Sequence, residues 1–333
     1  MSLNRRILLA ERPEGAVSER SFRLESAELP ALGAGEYLVK TLCLSIDPTI
    51  RGWIERDTYL PAVKIGEVVR SAGIGEVVDS KNAAFKPGDR VFGLLGWQQY
   101  SIHGEKSGLN PVPPGVPITD ALSVLGVTGI TAYFGMLDIG KPEAGQTVVV
   151  SGAAGATGSV AGQIAKLRGC RVIGIAGRPD KCRWITELGF DVAIDYKTER
   201  VDKRIFETCP QGVDVFFDNV GGPILDAVLA NLALRARVVL CGAISQYNQL
   251  DSAYGPKNYV NLIGRRARME GFIVLDYRER YMEAVMHLAG WVAEGKIKHK
   301  VTVLDGLESA PQALQKLFTG DHDGKLLVQV AER

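Results

Sequence analysis

The segment TVVVSGAAGATGSVAGQIAKL, residues 147–167, constrains the fold of this chain more than any other. A β-branched run ends at Ser151, Gly152, Gly155 and Gly158 follow at intervals of three, and an apolar helical pattern starts directly after them. Small residues at such a turn let backbone approach a pyrophosphate, whose charge then sits against the helix N-terminus. Ala153 stands where the strict dinucleotide fingerprint has its first glycine, yet the strand-turn-helix context that the fingerprint requires is present. Gly152, Ala154, Gly155, Ala156, Thr157 and Gly158 are therefore expected to bind a dinucleotide. The competing reading is a tight structural turn with no ligand.

The surroundings fit a nucleotide-binding domain. From about residue 125, apolar β-branched runs alternate with helical stretches: TVVVSG, SVAGQIAKLRG, RVIGIAG, DKCRWITELG and DVAIDY, then VDVFFDNV, PILDAVLANL, ARVVLCG, GFIVLDY and RYMEAVMHLAGWVAEG. Near-continuous apolar strands separated by helices predict a parallel sheet covered on both faces, a Rossmann-type doubly wound α/β domain. Residues 5–120 instead show short β-like runs broken by glycine and proline, such as EYLVKTLCLSI, GEVVRSAGIGEVVDS and KPGDRVFG, which predict a smaller, mostly β lobe. The tail ends in the strand-like KLLVQVAER and is expected to return to that lobe. The expected division is residues 1–124 with 301–333 as a substrate domain and 125–300 as the nucleotide domain, with a cleft between them.

The strand RVIGIAG should end beside the adenosine ribose, where an NAD enzyme offers an acidic side chain. Here the chain reads Gly177, Arg178, Pro179, Asp180, Lys181. Without that carboxylate nothing repels a 2′-phosphate, and Arg178 and Lys181 supply charge-assisted hydrogen bonds to it, which selects NADPH over NADH. The alternative is that both cations only solvate a helix start, with Asp180 partly neutralising them.

Several classes are excluded or disfavoured. With 39 basic and 38 acidic residues interspersed, there is no one-sided basic surface for nucleic acid. Five scattered cysteines, Cys43, Cys170, Cys182, Cys209 and Cys241, fit reduced thiols better than a disulfide framework. No apolar run has the length of a signal peptide or a membrane span, so a cytoplasmic protein without a membrane partner is expected. His103, His287, His299 and His322 lack ligand-like spacing and no cysteines cluster, so no metal site is expected.

The segments FDNVGG (217–222), LCGAISQYN (240–248), GPKNY (255–259) and RARMEGFIVLDY (266–277), together with SIDPTIRGW and YLPAVKIGEVV nearer the start, resemble one family over nearly the whole chain. It is the zinc-independent branch of the medium-chain dehydrogenases/reductases that includes prostaglandin reductase, leukotriene hydroxydehydrogenase, plant double-bond reductases and bacterial curcumin reductase. The resemblance implies a GroES-like substrate domain and a homodimer joined through the nucleotide domains near GFIVLDY. By it, Lys181 and Tyr196 contact the adenosine end of NADPH, and Asn219 holds its ribose or phosphate region. Cys241, Gly242, Ala243, Ile244, Ser245 and Tyr247 line the nicotinamide side, Phe272, Ile273 and Val274 continue that wall, and Tyr59 and Tyr259 stand at the mouth of the cleft. Two positions depart from the pattern: Thr128 replaces a usual proline, and His322 replaces a usual asparagine at the nicotinamide end, whose hydrogen bonds it is placed to take over or from which it turns to solvent.

The implied activity is NADPH-dependent reduction of the carbon-carbon double bond of an α,β-unsaturated ketone or aldehyde. Tyr247 first and Tyr59 second, together with a cofactor ribose hydroxyl, are the candidates to stabilise the enolate, with Tyr259 the remaining catalytic candidate, and water or a tyrosine supplies the proton. Two alternatives stay open: quinone reduction on the same scaffold, and an NADPH-binding protein without turnover.

Overall fold

The computed structural model describes residues 3–249 and 252–331. The chain divides into two compact units, one drawn from Met1–Leu122, Val301–His322 and Leu326–Arg333, the other from Ser123–Lys300 and Asp323–Lys325.

The first unit opens with an antiparallel ribbon of β1 (Leu3–Leu9) and β2 (Phe22–Glu28), paired from Leu3 opposite Glu28 to Leu9 opposite Phe22. The strands β3 (Tyr37–Ile46), β4 (Ala72–Ser80), β5 (Arg90–Leu94), β6 (Tyr100–His103) and β7 (Asn110–Pro111) follow. The long apolar β3 is central: it pairs antiparallel with both β4 and β6. Its Val39, Leu44 and Ile46 are fully enclosed, which is why it carries so few polar residues.

The second unit is built on six strands, β8 (Thr147–Ser151), β9 (Arg171–Ala176), β10 (Val192–Asp195), β11 (Val213–Asp218), β12 (Leu232–Leu240) and β13 (Arg268–Gly271). They lie in the order β10-β9-β8-β11-β12-β13, every pair parallel. Both faces are covered, and the sequence shows how. In β8, Val148 and Val150 join a core that includes Val160, Ala161 and Ile164 of the helix Ala156–Leu167, while Val149 points into a second core with Ile173, Ile205 and Val228. A strand buried on both sides has no polar face to alternate with, hence the unbroken VVV. Connections leave β8 toward β9 on one side, while β11 continues toward β12 on the other. The strand order reverses between β8 and β11, with all strands still parallel, and there doubly wound sheets place their ligands, beyond the carboxyl ends of the strands.

One sequence expectation needs correction. GFIVLDY reads as a strand, but β13 ends at Gly271 and Val274–Arg280 is a 3₁₀ helix. Aromatic packing takes the chain out of the sheet: Phe272 closes on Gly135, where an added Cβ would come within 2.6 Å of its ring, and Tyr277 stacks on Phe134 at 4.4 Å. The Tyr281 hydroxyl then donates to the Val274 carbonyl at 3.1 Å, fixing the turn into the helix Tyr281–Ala293.

The last two strands, β14 (Val301–Asp305) and β15 (Lys325–Gln329), flank the helix Ala310–Thr319. β15 lies antiparallel to β3, from Leu326 opposite Ile46 to Gln329 opposite Cys43.

Candidate functional site

At the carboxyl end of β8 the backbone turns sharply. Gly152 has φ +58°, a left-handed conformation that glycine adopts without steric cost. The Ala153 amide donates to the Ile175 carbonyl at 3.0 Å and the Gly155 amide to the Gly152 carbonyl at 2.9 Å, so the turn is tied to β9 and closed on itself. A Cβ on Gly158 would lie 2.3 Å from the Gly152 carbonyl oxygen; only glycine lets the helix start this close to the turn. The first N–H groups of a helix have no intrahelical acceptor and carry the positive end of its dipole, so the start at Ala156, Thr157 and Gly158 is shaped for an anion. These residues fit a pyrophosphate.

Beyond β9, Arg178 has φ +80° and ψ 144°, a conformation almost confined to glycine, and its amide donates to Asp195 Oδ1 at 3.2 Å. Its guanidinium meets Asp180, in the first turn of the helix Pro179–Glu187, at 3.0 Å and Asp323 at 3.5 Å. Lys181 is half-buried beside it. Burial first and the Arg178 charge second pull the Lys181 ammonium below its ordinary pKa, so an arriving anion stabilises it. Tyr196 lays its ring against Gly177, where a Cβ would come within 2.8 Å of the ring and 3.2 Å of Lys197 Cε. The result is a shelf with three cations around it, Arg178, Lys181 and Lys197. Lys197 escaped the sequence reading because it lies past β10, after Tyr196.

The other end of the site is organised by Asp218, the fully buried last residue of β11. Its Oδ1 accepts the Ser151 hydroxyl at 2.6 Å and the Val220 amide at 3.0 Å, and the Gly221 amide reaches both oxygens at 3.1 Å. Burial pushes its carboxyl above the usual range, opposed by these donors. Its main-chain carbonyl accepts the amides of Cys241 at 2.9 Å and Gly242 at 3.1 Å, which locks the end of β12 to β11. Asn219 is held by Ser151 through two contacts: its amide donates to the hydroxyl at 2.8 Å and its side chain to the carbonyl at 2.7 Å. Ser151 and Asp218 were missed by sequence reasoning; an acidic residue closing the apolar run VDVFF was the available signal.

After β12 the chain passes through the turn Ile244–Gln246 to Tyr247. The Ile244 and Ser245 amides donate to the carbonyls of Asn219 and Val220 at 3.3 and 3.2 Å, and the Ser245 hydroxyl reaches the Val220 carbonyl at 2.6 Å. The Ala243 amide donates to the Tyr247 hydroxyl oxygen at 3.1 Å. These elements line an open pocket of about 560 Å³ whose walls include Asp218, Gly242, Tyr247, Tyr254, Phe272 and Ile273. Cys241 also lines it; burial first and the Asp218 charge second push its thiol up to about 12, so it is a neutral wall residue and no nucleophile.

The expected residues thus separate into groups. Cys241, Gly242, Ala243, Tyr247, Phe272 and Ile273 share the pocket, while Val274 contributes its carbonyl to the turn behind it. Tyr259 is exposed in the turn Asn258–Val260 and is not among the pocket's walls. Tyr59 belongs to the first unit, where its hydroxyl lies 2.7 Å from Thr49 Oγ1 and its ring meets Trp53 edge-on; burial raises its pKa. His322 Nδ1 lies 3.1 Å from the Lys316 carbonyl, in the last turn of the helix Ala310–Thr319. The Thr128 hydroxyl donates to the Ser123 carbonyl at 3.0 Å and so bridges the start of its helix. Among the described residues there is no group of three or more His, Cys, Asp or Glu side chains placed to hold a metal ion, and no helix long and apolar enough to cross a membrane.

Comparison with known proteins places these features in context. A family profile described as N-terminal domain of oxidoreductase matches residues 5–112, and one described as zinc-binding dehydrogenase matches residues 156–290. The NADPH-dependent curcumin reductase of Escherichia coli is 41% identical over 98% of this chain and 97% of its own length. Prostaglandin reductase 1 of Rattus norvegicus is 41% identical over 95% of this chain and 96% of its own. The crystal structure of CurA from Vibrio vulnificus in complex with NADPH superposes with a TM-score of 0.94 at 40% identity, covering 99% of this chain and all of the other.

Proposed function

Since the chain belongs to the zinc-independent branch of the medium-chain dehydrogenases/reductases, with the prostaglandin and curcumin reductases, we propose that it reduces the carbon-carbon double bond of α,β-unsaturated ketones or aldehydes. It is an NADPH-dependent oxidoreductase of the prostaglandin and curcumin reductase type. The observation that carries the finer reading is the Tyr247 hydroxyl, fixed by the Ala243 amide at 3.1 Å in the wall of an otherwise largely apolar pocket.

The residues fit the cofactor. The cradle at Gly152, Gly155 and Gly158 would hold the pyrophosphate, the shelf of Gly177 and Tyr196 the adenosine, and Arg178, Lys181 and Lys197 the 2′-phosphate. Arg178 exchanges its carboxylate partners for that phosphate, a doubly charged acceptor matching its planar fork. Bound NADPH supplies a hydride for the β-carbon of the substrate.

The chain's own residues do the rest. As the β-carbon gains the hydride, the π electrons move to the carbonyl oxygen and an enolate forms. The Tyr247 hydroxyl donates a hydrogen bond to that oxygen. Because its oxygen already accepts the Ala243 N–H, the hydroxyl is polarised toward donation. Phe272 and Ile273 give the same wall apolar surface, and the bond strengthens where bound substrate and cofactor displace water from it. A proton from water or a tyrosine then reaches the α-carbon and completes the saturated ketone. Tyr59 is the second candidate donor. In this reading the protein acts in the cytoplasm, on a small molecule, as a homodimer, which size-exclusion chromatography tests directly.

The decisive experiment is an NADPH-oxidation screen over enones, enals, quinones and alcohols, with the product identified by mass spectrometry and a chelator present in a parallel series. Saturated ketone or aldehyde formed equally with and without chelator supports the proposal. Turnover of quinones alone, or activity lost on removing zinc and restored by zinc, overturns it.

A further inference from the structure

The part of the pocket wall formed by Tyr254 and Pro256 lies in a stretch, residues 253–256, that belongs to no helix or strand. Its position depends on side-chain contacts. The helix Gly222–Leu229 provides them through Asp226, which is buried in the middle of the helix. Asp226 Oδ2 accepts the Tyr254 hydroxyl at 2.9 Å, Oδ1 accepts the Asn258 amide at 2.7 Å, and its main-chain carbonyl accepts the Asn258 side chain at 3.1 Å. One residue therefore grips the segment on both sides of Gly255-Pro256-Lys257. From the opposite side Gln246 Nε2 donates to the Tyr254 carbonyl at 3.1 Å, joining the segment to the turn that carries Tyr247. The Lys257 ammonium lies 5.9 Å from the centre of the Tyr254 ring.

This arrangement gives the two pocket tyrosines different jobs. Tyr247 receives a hydrogen bond on its oxygen, whereas Tyr254 commits its hydroxyl proton to a buried carboxylate. Tyr254 therefore brings its ring to the pocket and not its proton. Together with Leu225, Pro256 and Phe272 the ring makes an apolar, partly aromatic surface on the wall.

We propose that Asp226 is a positioning residue for the substrate pocket, and that the Tyr254 ring it holds selects for enones carrying a bulky apolar or aryl substituent. The inference rests on the enone-reductase reading and names the substrate feature that the same pocket recognises. A buried carboxylate that loses one partner keeps the desolvation cost of the other oxygen, so the wall responds to small changes at this pair.

The experiment compares wild type with Asp226→Ala, Asp226→Asn and Tyr254→Phe, using a small enone (methyl vinyl ketone) and an aryl enone (4-phenylbut-3-en-2-one), with thermal melting and NADPH affinity measured for each. The expected result is a rise of about tenfold in KM for the aryl enone in Asp226→Ala and Tyr254→Phe, the size of a lost hydrogen bond to a charged group. NADPH affinity stays within about twofold, because the glycine turn and the adenosine shelf are untouched, while the small enone's KM and kcat for both substrates change less than the aryl enone's KM. Asp226→Asn keeps one acceptor oxygen and falls between. An unchanged ratio of the two KM values in folded Tyr254→Phe, the mildest change, overturns the assignment; so does a parallel loss of kcat on both substrates. If wild type reduces quinones and not enones, the functional reading falls, and the same variants with a small and a bulky quinone decide the role of Asp226. Wild type that oxidises NADPH with neither class overturns both.

Discussion

The Ala243 amide donates to the hydroxyl oxygen of Tyr247, four residues along the chain, across 3.1 Å. The bond ties the catalytic candidate to the end of β12, whose preceding amides are held by Asp218. Tyr247→Phe removes both the proposed donor to the substrate oxygen and the acceptor for Ala243. Turnover of an enone is expected to fall about a hundredfold, the usual worth of one oxyanion donor. NADPH affinity should stay within about twofold, and stability should drop by about 1 kcal/mol for the amide left without its partner. Steady-state kinetics, a cofactor titration and a melting curve separate the three; undiminished turnover removes Tyr247 from the chemistry.

In the proposed cofactor site, Arg178 links backbone strain to the choice of dinucleotide. Its φ of +80° suits glycine, so Arg178→Gly should relieve about 1 kcal/mol or more of backbone strain while deleting a cation from the adenosine shelf. The expected variant melts at the same temperature or higher, yet its KM for NADPH rises about tenfold with that for NADH unchanged. Equal effects on both cofactors would show that Arg178 does not read the 2′-phosphate.

Much of this site was legible in the sequence because its physics is local. Gly152, Gly155 and Gly158 announce a turn that only small residues permit, and the valines of β8 announce a strand covered on both sides. Ser151 and Asp218 were not legible, since their value lies in a 2.6 Å contact between residues 67 positions apart. Tyr254 and Asp226 are the same case, a tie between a helix and an irregular segment. GFIVLDY misled for a related reason: its residues have strand propensity, but Phe272 and Tyr277 find better partners in Gly135 and Phe134 off the sheet.

Gly135 makes that departure possible. A Cβ there would sit 2.6 Å from the Phe272 ring and 2.7 Å from the Phe217 ring, both too close for contact. Gly135→Ala is expected to destabilise the protein by about 1–3 kcal/mol through overpacking. Since Phe272 also lines the pocket, KM for an enone should rise along with the loss of stability. A Gly135→Ala protein with wild-type melting and wild-type KM would show that the wall accommodates the methyl group.

Away from the site, His103 on β6 carries a pH dependence of its own. Burial lowers its imidazole pKa from 6.5 to about 4, and its Nε2 lies 2.7 Å from Ser101 Oγ. Between those values the unfolded chain binds a proton that the folded chain refuses, so stability rises with pH across the interval. The contribution is whole above about pH 6.5 and is lost as pH falls toward about 4, amounting at most to about 3 kcal/mol at 1.36 kcal/mol per unit. His103→Gln, which keeps a polar partner for Ser101 but cannot take up the proton, should flatten this part of the stability curve. Chemical denaturation of both proteins at pH 7, 6, 5 and 4 measures the difference, and identical slopes would mean that His103 titrates in the folded protein as it does in the unfolded chain.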